Sequence, residues 1–107
     1  MTETGERMIT LAIPLFGERV SPHFSTAPQL MVVVLQRRQP SSTIILPLVQ
    51  DSIAERRNKL LSLGVTTLIC NGIDQATLRW LERRGVRVLV NIVGAAEDVL
   101  NRLMPFS

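Results

Sequence analysis

The sequence predicts an α/β fold: one mixed five-stranded sheet flanked by helices, with the element order βββαβαβα. Two observations carry this prediction. The first half of the chain holds three apolar, β-branched runs joined by short polar links, and the second half alternates shorter apolar runs with segments of helical period. Composition sets the scale. The chain has 107 residues of which 46% are hydrophobic, enough for one core and too short for a second domain.

Residues 8–14 (MITLAIP) read as a buried first strand. Gly17, Ser21 and Pro22 punctuate a loop over 15–24. Residues 29–36 (QLMVVVLQ) form a second strand, rich enough in valine to be covered on both faces. A polar turn over 36–42 (QRRQPSS) leads to a third strand over 43–49 (TIILPLV), where Pro47 points to a sheet edge. The pattern then becomes helical. Ser52 and Glu55 have capping-box spacing, Ile53, Leu60, Leu61 and Leu63 make an apolar stripe, and Gly64 stops the helix. Residues 65–70 (VTTLIC) are a short buried strand. Asp74 is the expected N-cap of the next helix, with Ile73 and Leu78 as a hydrophobic staple and Leu81 turned inward. Gly85 ends that helix, residues 86–93 (VRVLVNIV) give a fifth strand, and residues 95–103 a closing helix.

Three consecutive strands with short links make an antiparallel meander, and each later strand arrives through a helix and lies parallel to the first. The economical strand order is 3-2-1-4-5, a ribonuclease H-like layout. A flexible tail over 1–7 precedes a single domain over 8–107. The opening MTETGERM lacks the basic-then-apolar pattern of a secretory signal. No apolar run approaches the roughly 18 residues of a membrane span. The single cysteine, Cys70, has no internal partner, so a reducing, cytoplasmic setting is expected.

The net charge is +3, from twelve Lys and Arg against nine Asp and Glu. The arginine pairs Arg37-Arg38, Arg56-Arg57 and Arg83-Arg84 read as solvated surface, and Trp80 as packing. Aromatic residues make up 4% and tyrosine is absent, so no nucleic-acid-binding face is expected. The charge supports only a mild preference for small anions.

The topology converges on one place. If the first, fourth and fifth strands are parallel, the loops over 15–24, 70–73 and 91–94 emerge at one sheet edge, where open α/β sheets bind ligands. The only histidine, His23, and the only thiol, Cys70, then face a shared cleft. Cys70 precedes a helix N-terminus, whose dipole favours a thiolate. A thiolate and a neutral imidazole suit iron, zinc and metal–sulfur species. Gly72 and Gly94 permit close backbone approach, and helix N-termini attract negative charge. Plainer readings stand beside these: Cys70 as a small buried hydrophobe, and His23 as a hydrogen-bonded surface residue. Two protein ligands fall short of the four of structural zinc.

The stretch RVSPHFSTAPQLMVV resembles the hallmark loop of the nitrogenase iron–molybdenum cofactor biosynthesis family, R-V-S-x-H-F-x-x-A-P followed by an apolar strand. Arg19, Val20, Ser21, His23, Phe24, Ala27 and Pro28 match it. GVTTLICNGI, RGVRVLV and GAAEDVL are similar to the family's second half. Two departures are visible: LVQDSIAE lacks the glycine-rich entry to the first helix, and Asn71 stands where the family has a glycine, with Gly72 following.

The resemblance implies a ribonuclease H-like fold and a small carrier that is not an enzyme. Such a carrier holds the iron–molybdenum cofactor, or its iron–sulfur precursor cluster, during cofactor assembly for nitrogen fixation, with nitrogenase assembly proteins as possible partners. It implies His23 and Cys70 as metal ligands, with Arg19, Ser21, Asn71 and Gly72 bonding to cluster sulfides or a carboxylate. The alternative is a regulatory or interaction domain of the same fold that takes no cluster. A nuclease needs converging carboxylates. The strand over 8–14 has none, and Glu18 lies in the loop.

Overall fold

Alternate residues of the central strands face opposite ways, as extended backbone requires, and both faces are apolar. That pattern fixes a three-layer arrangement. The computed structural model describes residues 8–103, so the tail expected over 1–7 and residues 104–107 lie outside the described residues. The elements are β1 (Met8–Phe16), β2 (Arg19–Val20), β3 (Gln29–Gln36), β4 (Gln39–Pro47), α1 (Ile53–Ser62), β5 (Thr67–Ile69), α2 (Gln75–Arg83), β6 (Arg87–Leu89) and α3 (Ala96–Leu103). A 3₁₀ turn spans Phe24–Thr26. No helix among the described residues is long and apolar enough to cross a membrane.

The sheet is mixed, in the order β4-β3-β1-β5-β6 with β2 beside β1. β1 runs antiparallel to β3 and parallel to β5, and β5 runs parallel to β6. Ala12, Leu30, Val32, Leu68 and Cys70 face one side with Leu60 and Leu81, the inward residues of α1 and α2. Leu11, Ile13, Val33 and Ile69 face the other, against Ala96 and Val99 of α3.

Among the described residues the sheet has six strands rather than five. Leu15 and Val20 are buried and paired, so the expected loop over 15–24 begins as a tight hairpin. The polar turn over 36–42 contracts to Arg37 and Arg38, both with positive φ, because Gln39, Pro40 and Ser42 already pair with β3. β4 is the edge strand and is exposed from Gln39 to Ile45, in keeping with its prolines. The fourth and fifth strands are shorter than expected, at Thr67–Ile69 and Arg87–Leu89.

Both helix starts follow their capping chemistry. Glu55 N–H donates to Ser52 Oγ at 3.1 Å, and Ser52 N–H donates to Glu55 Oε1 at 2.7 Å. Asp74 Oδ2 accepts from the Thr77 N–H at 2.9 Å. In the α1 stripe, Leu60 is buried but Leu61 is exposed, since the helix turns it away from the sheet. Arg56 also departs from expectation. It is not solvated surface but only 5% exposed, its guanidinium satisfied by backbone carbonyls.

Candidate functional site

The loops after β1, β5 and β6 are stitched together at one sheet edge by backbone hydrogen bonds. Ser21 N–H donates to Pro14 O at 2.8 Å, and Val20 N–H to Gly94 O at 2.9 Å. Gly72 N–H donates to Pro22 O at 2.9 Å, and Phe24 N–H returns to Gly72 O at 2.8 Å. Asn91 N–H reaches Asn71 O at 3.0 Å, and Ile92 N–H reaches Cys70 O at 3.0 Å. This edge is therefore a braced ridge, with every loop tied to the next.

His23 sits at the centre of that bracing. It makes a strand-like bridge to Gly72 and caps the 3₁₀ turn Phe24–Thr26. Nδ1 accepts from the Ser25 N–H at 3.2 Å and lies 2.8 Å from Ser25 Oγ. The other side of the ring rests on Gly72, where an added Cβ would lie 2.7 Å from Pro22 O and 3.0 Å from His23 Cδ2. Only glycine allows that approach. The ring is half-buried, and Nε2 has no hydrogen-bond partner among the described residues.

Two buried groups hold the loop from below. Ser21, almost fully buried, donates from Oγ to His23 O at 3.2 Å. Arg56 spreads its guanidinium over four carbonyls: Nη1 to Phe24 O at 3.0 Å and Ala27 O at 2.7 Å, Nη2 to Leu48 O at 2.9 Å, Nε to Asp51 O at 3.2 Å. Burial lowers the arginine's affinity for its proton, and the neighbouring Asp51 charge opposes that. The planar fork suits such a cluster of acceptors, and it pins the His23 turn to α1.

Of the other residues expected at the site, Arg19 lies exposed on β2 and bridges to Ala95. Asn71 is half-buried beside Gly72. Cys70 is placed differently. It is 0% exposed and packs in the core with Ala12, Phe24 and Leu68. Burial pushes its thiol up to about 11, so the thiolate expected from the helix N-terminus is disfavoured: desolvation outweighs the dipole. Nor are the helix N-termini open to an anion. Asp74 caps α2, and Glu97 and Asp98 occupy the first turn of α3. Among the described residues, no three His, Cys, Asp or Glu side chains are grouped to hold a metal ion.

Sequence reasoning placed neither Ser25 nor Arg102 at this edge, and it read Arg56 as solvated surface. Ser25 carries a readable signal, since a hydroxyl two residues after a loop histidine is in reach of its ring. The Arg102 guanidinium donates to Val93 O at 3.3 Å at the same edge.

A family model described as dinitrogenase iron-molybdenum cofactor matches residues 7–105 of the chain. Among solved structures, the crystal structure of PH0822 superposes with a TM-score of 0.84 at 17% identity, covering 90% of this chain and 88% of that one. The crystal structure of MJ0327 from Methanocaldococcus jannaschii gives 0.74 at 13% identity, over 90% and 88%. Its NMR structure gives 0.71 at 16%, over 89% and 84%. At these identities the likeness concerns the fold. No curated protein matches the sequence.

Proposed function

Since the chain belongs to the dinitrogenase iron-molybdenum cofactor family, we propose that it is a small non-catalytic carrier. Its cargo is the iron–molybdenum cofactor or the iron–sulfur precursor cluster, held during nitrogenase cofactor assembly. The observation that carries this reading is His23: a ring held by Ser25 at Nδ1 and by Gly72 at its other edge, with Nε2 left without a hydrogen-bond partner among the described residues. A neutral imidazole is a suitable ligand for iron. Arg19 and Asn71, on the same braced edge, would bond to cluster sulfides or a carboxylate, whereas the Gly72 N–H is already given to Pro22 O and Gly72 supplies the space for the ring. Ser21 supports the loop from beneath. Cys70 is assigned to packing, because its thiol is sealed in the core.

The order of the sheet is read as ribonuclease H-like, but fold alone does not bring nuclease activity. β1 (MITLAIPLF) has no carboxylate to hold catalytic metal ions. The low aromatic content supports a carrier that does not bind nucleic acid, and the free thiol supports a reducing, cytoplasmic setting. Partners would be the assembly proteins that supply and receive the cluster.

The small donor set favours a second reading. With one outward imidazole and no grouped ligands among the described residues, the same fold can serve as a regulatory or protein-interaction domain without a cluster.

Anoxic titration with extracted cofactor or its precursor separates the two, read by native gel shift and visible absorbance. The carrier reading expects wild-type protein to bind and His23→Ala to bind at least about tenfold more weakly. Wild-type protein that stays colourless and unshifted, yet captures a protein partner, would support the second reading.

A further inference from the structure

Nothing in the family motif quoted above fixes the residue two places after His23, yet the structure gives that residue a defined task. We infer that Ser25 is the positioning residue of His23. In the cargo-free protein its amide and hydroxyl hold Nδ1 as an acceptor, so that the proton rests on Nε2 and the ring presents an N–H outward.

The geometry is specific. Ser25 N–H donates to Nδ1 at 3.2 Å, and Oγ lies 2.8 Å from the same nitrogen. A backbone N–H can only donate, so Nδ1 must offer its lone pair. In a neutral imidazole the proton is then on Nε2. The Cδ2 edge of the ring faces Gly72, and a ring flip would exchange Nδ1 for Cδ2 and lose both Ser25 bonds.

The hydroxyl has a second use that the amide lacks. Once the amide bond to Nδ1 is given up, Oγ can accept from Nδ1–H, the tautomer whose Nε2 carries a free lone pair. Passing between the two moves one proton from Nε2 to water and one from water to Nδ1, with no net change in charge. Ser25 thus serves both a hydrogen bond from Nε2–H to a sulfide or carboxylate and coordination of iron by Nε2. This second half rests on the carrier reading. The first half does not.

The chain has one histidine, so long-range proton–nitrogen correlation spectra report His23 alone. The experiment uses cargo-free protein near pH 8, above the ordinary range of histidine titration. Wild type is expected to show a protonated Nε2 and an unprotonated Nδ1. Ser25→Pro, which removes both the amide N–H and the hydroxyl, should move both nitrogens toward the averaged values of a free imidazole, whereas Ser25→Ala keeps the amide and should keep Nδ1 unprotonated. Averaged shifts in wild type or in Ser25→Ala, or an unchanged pattern in Ser25→Pro, would overturn the assignment. Wild type and Ser25→Ala keep the test decisive should Ser25→Pro fold poorly. In the anoxic cluster titration, Ser25→Ala should lose roughly 10–100-fold in affinity, the effect of removing the partner of a metal-ligating histidine. Wild-type protein that binds no cluster contradicts the carrier reading and leaves the tautomer result standing.

Discussion

His23 is useful because of residues that do no chemistry themselves. Gly72 is the clearest case, since its missing Cβ is the space the ring occupies. In Gly72→Ala the new methyl meets the Pro22 carbonyl, which is backbone and cannot rotate away. The variant should lose about 1–3 kcal/mol in urea unfolding, and its cluster affinity should fall with the displaced loop. Cys70 makes the opposite point. Its position in sequence suggested a reactive thiolate, but a thiol packed against Phe24 and Leu68 is a hydrophobe. Its titration point is raised to about 11 when folded, against an ordinary value of roughly 8.5. The folded state therefore keeps a proton that the unfolded chain releases. That contribution is complete below the unfolded value and is lost as pH rises toward the folded one. The wild type should lose stability between about pH 8.5 and 11 relative to Cys70→Ala, measured by chemical denaturation across that range. Native Cys70 should also react with thiol reagents far more slowly than the unfolded chain at neutral pH.

At the scale of elements, two helices bear on the site, α2 through its cap and α1 through a buried arginine. Burial raises the titration point of Asp74, but hydrogen bonds from Thr77 and the Arg57 charge outweigh it, and the net shift is downward. A carboxylate whose titration point is lowered on folding stabilises the protein above its unfolded value and loses that effect as pH falls through the folded one. Asp74→Ala should cost about 1 kcal/mol at neutral pH. Asp74→Asn keeps the cap and should cost less, and its thermal melting should converge on that of the wild type below about pH 4. Arg56 carries the larger stake, because its guanidinium holds both Phe24 O and Ala27 O in the His23 turn. Lysine cannot span four carbonyls with a planar fork. Arg56→Lys should therefore destabilise by about 2–3 kcal/mol through the carbonyls it abandons. It should also loosen the His23 turn, seen as faster amide exchange at Phe24 and Ala27.

At the scale of the molecule, the same edge was legible in advance and its chemistry was only partly so. The mixed sheet and both helix caps followed from short-range rules: valine-rich runs, Pro47 at an edge, and Ser52 three residues before Glu55. The meeting of the 15–24, 70–73 and 91–94 loops followed from parallel strands sharing one direction. What sequence could not reveal was side-chain depth. Arg56 and Arg57 are neighbours in sequence, yet one is buried and the other lies beside Trp80, because helical period and not composition decides which faces the core. Cys70 stayed between ligand and buried hydrophobe for a related reason: the last residue of a strand can turn either to the cleft or to the core. The two-residue β2 was missed because its pairing partner is the end of β1, inside what reads as a loop.

In the carrier reading, cargo sits on the braced edge through His23. The most direct test of that reading is an amide correlation spectrum of labelled protein, recorded anoxically with and without the iron–sulfur precursor cluster. The account predicts that signals from residues 19–24, 71–72 and 91–95 shift or broaden, while those of β4 and the far end of α2 stay in place. Unchanged signals at residues 19–24 and 71–72, or changes confined to Met31, Ile45 and Glu97 in the cleft that adjoins this edge at Glu18 and Ala95, would contradict it.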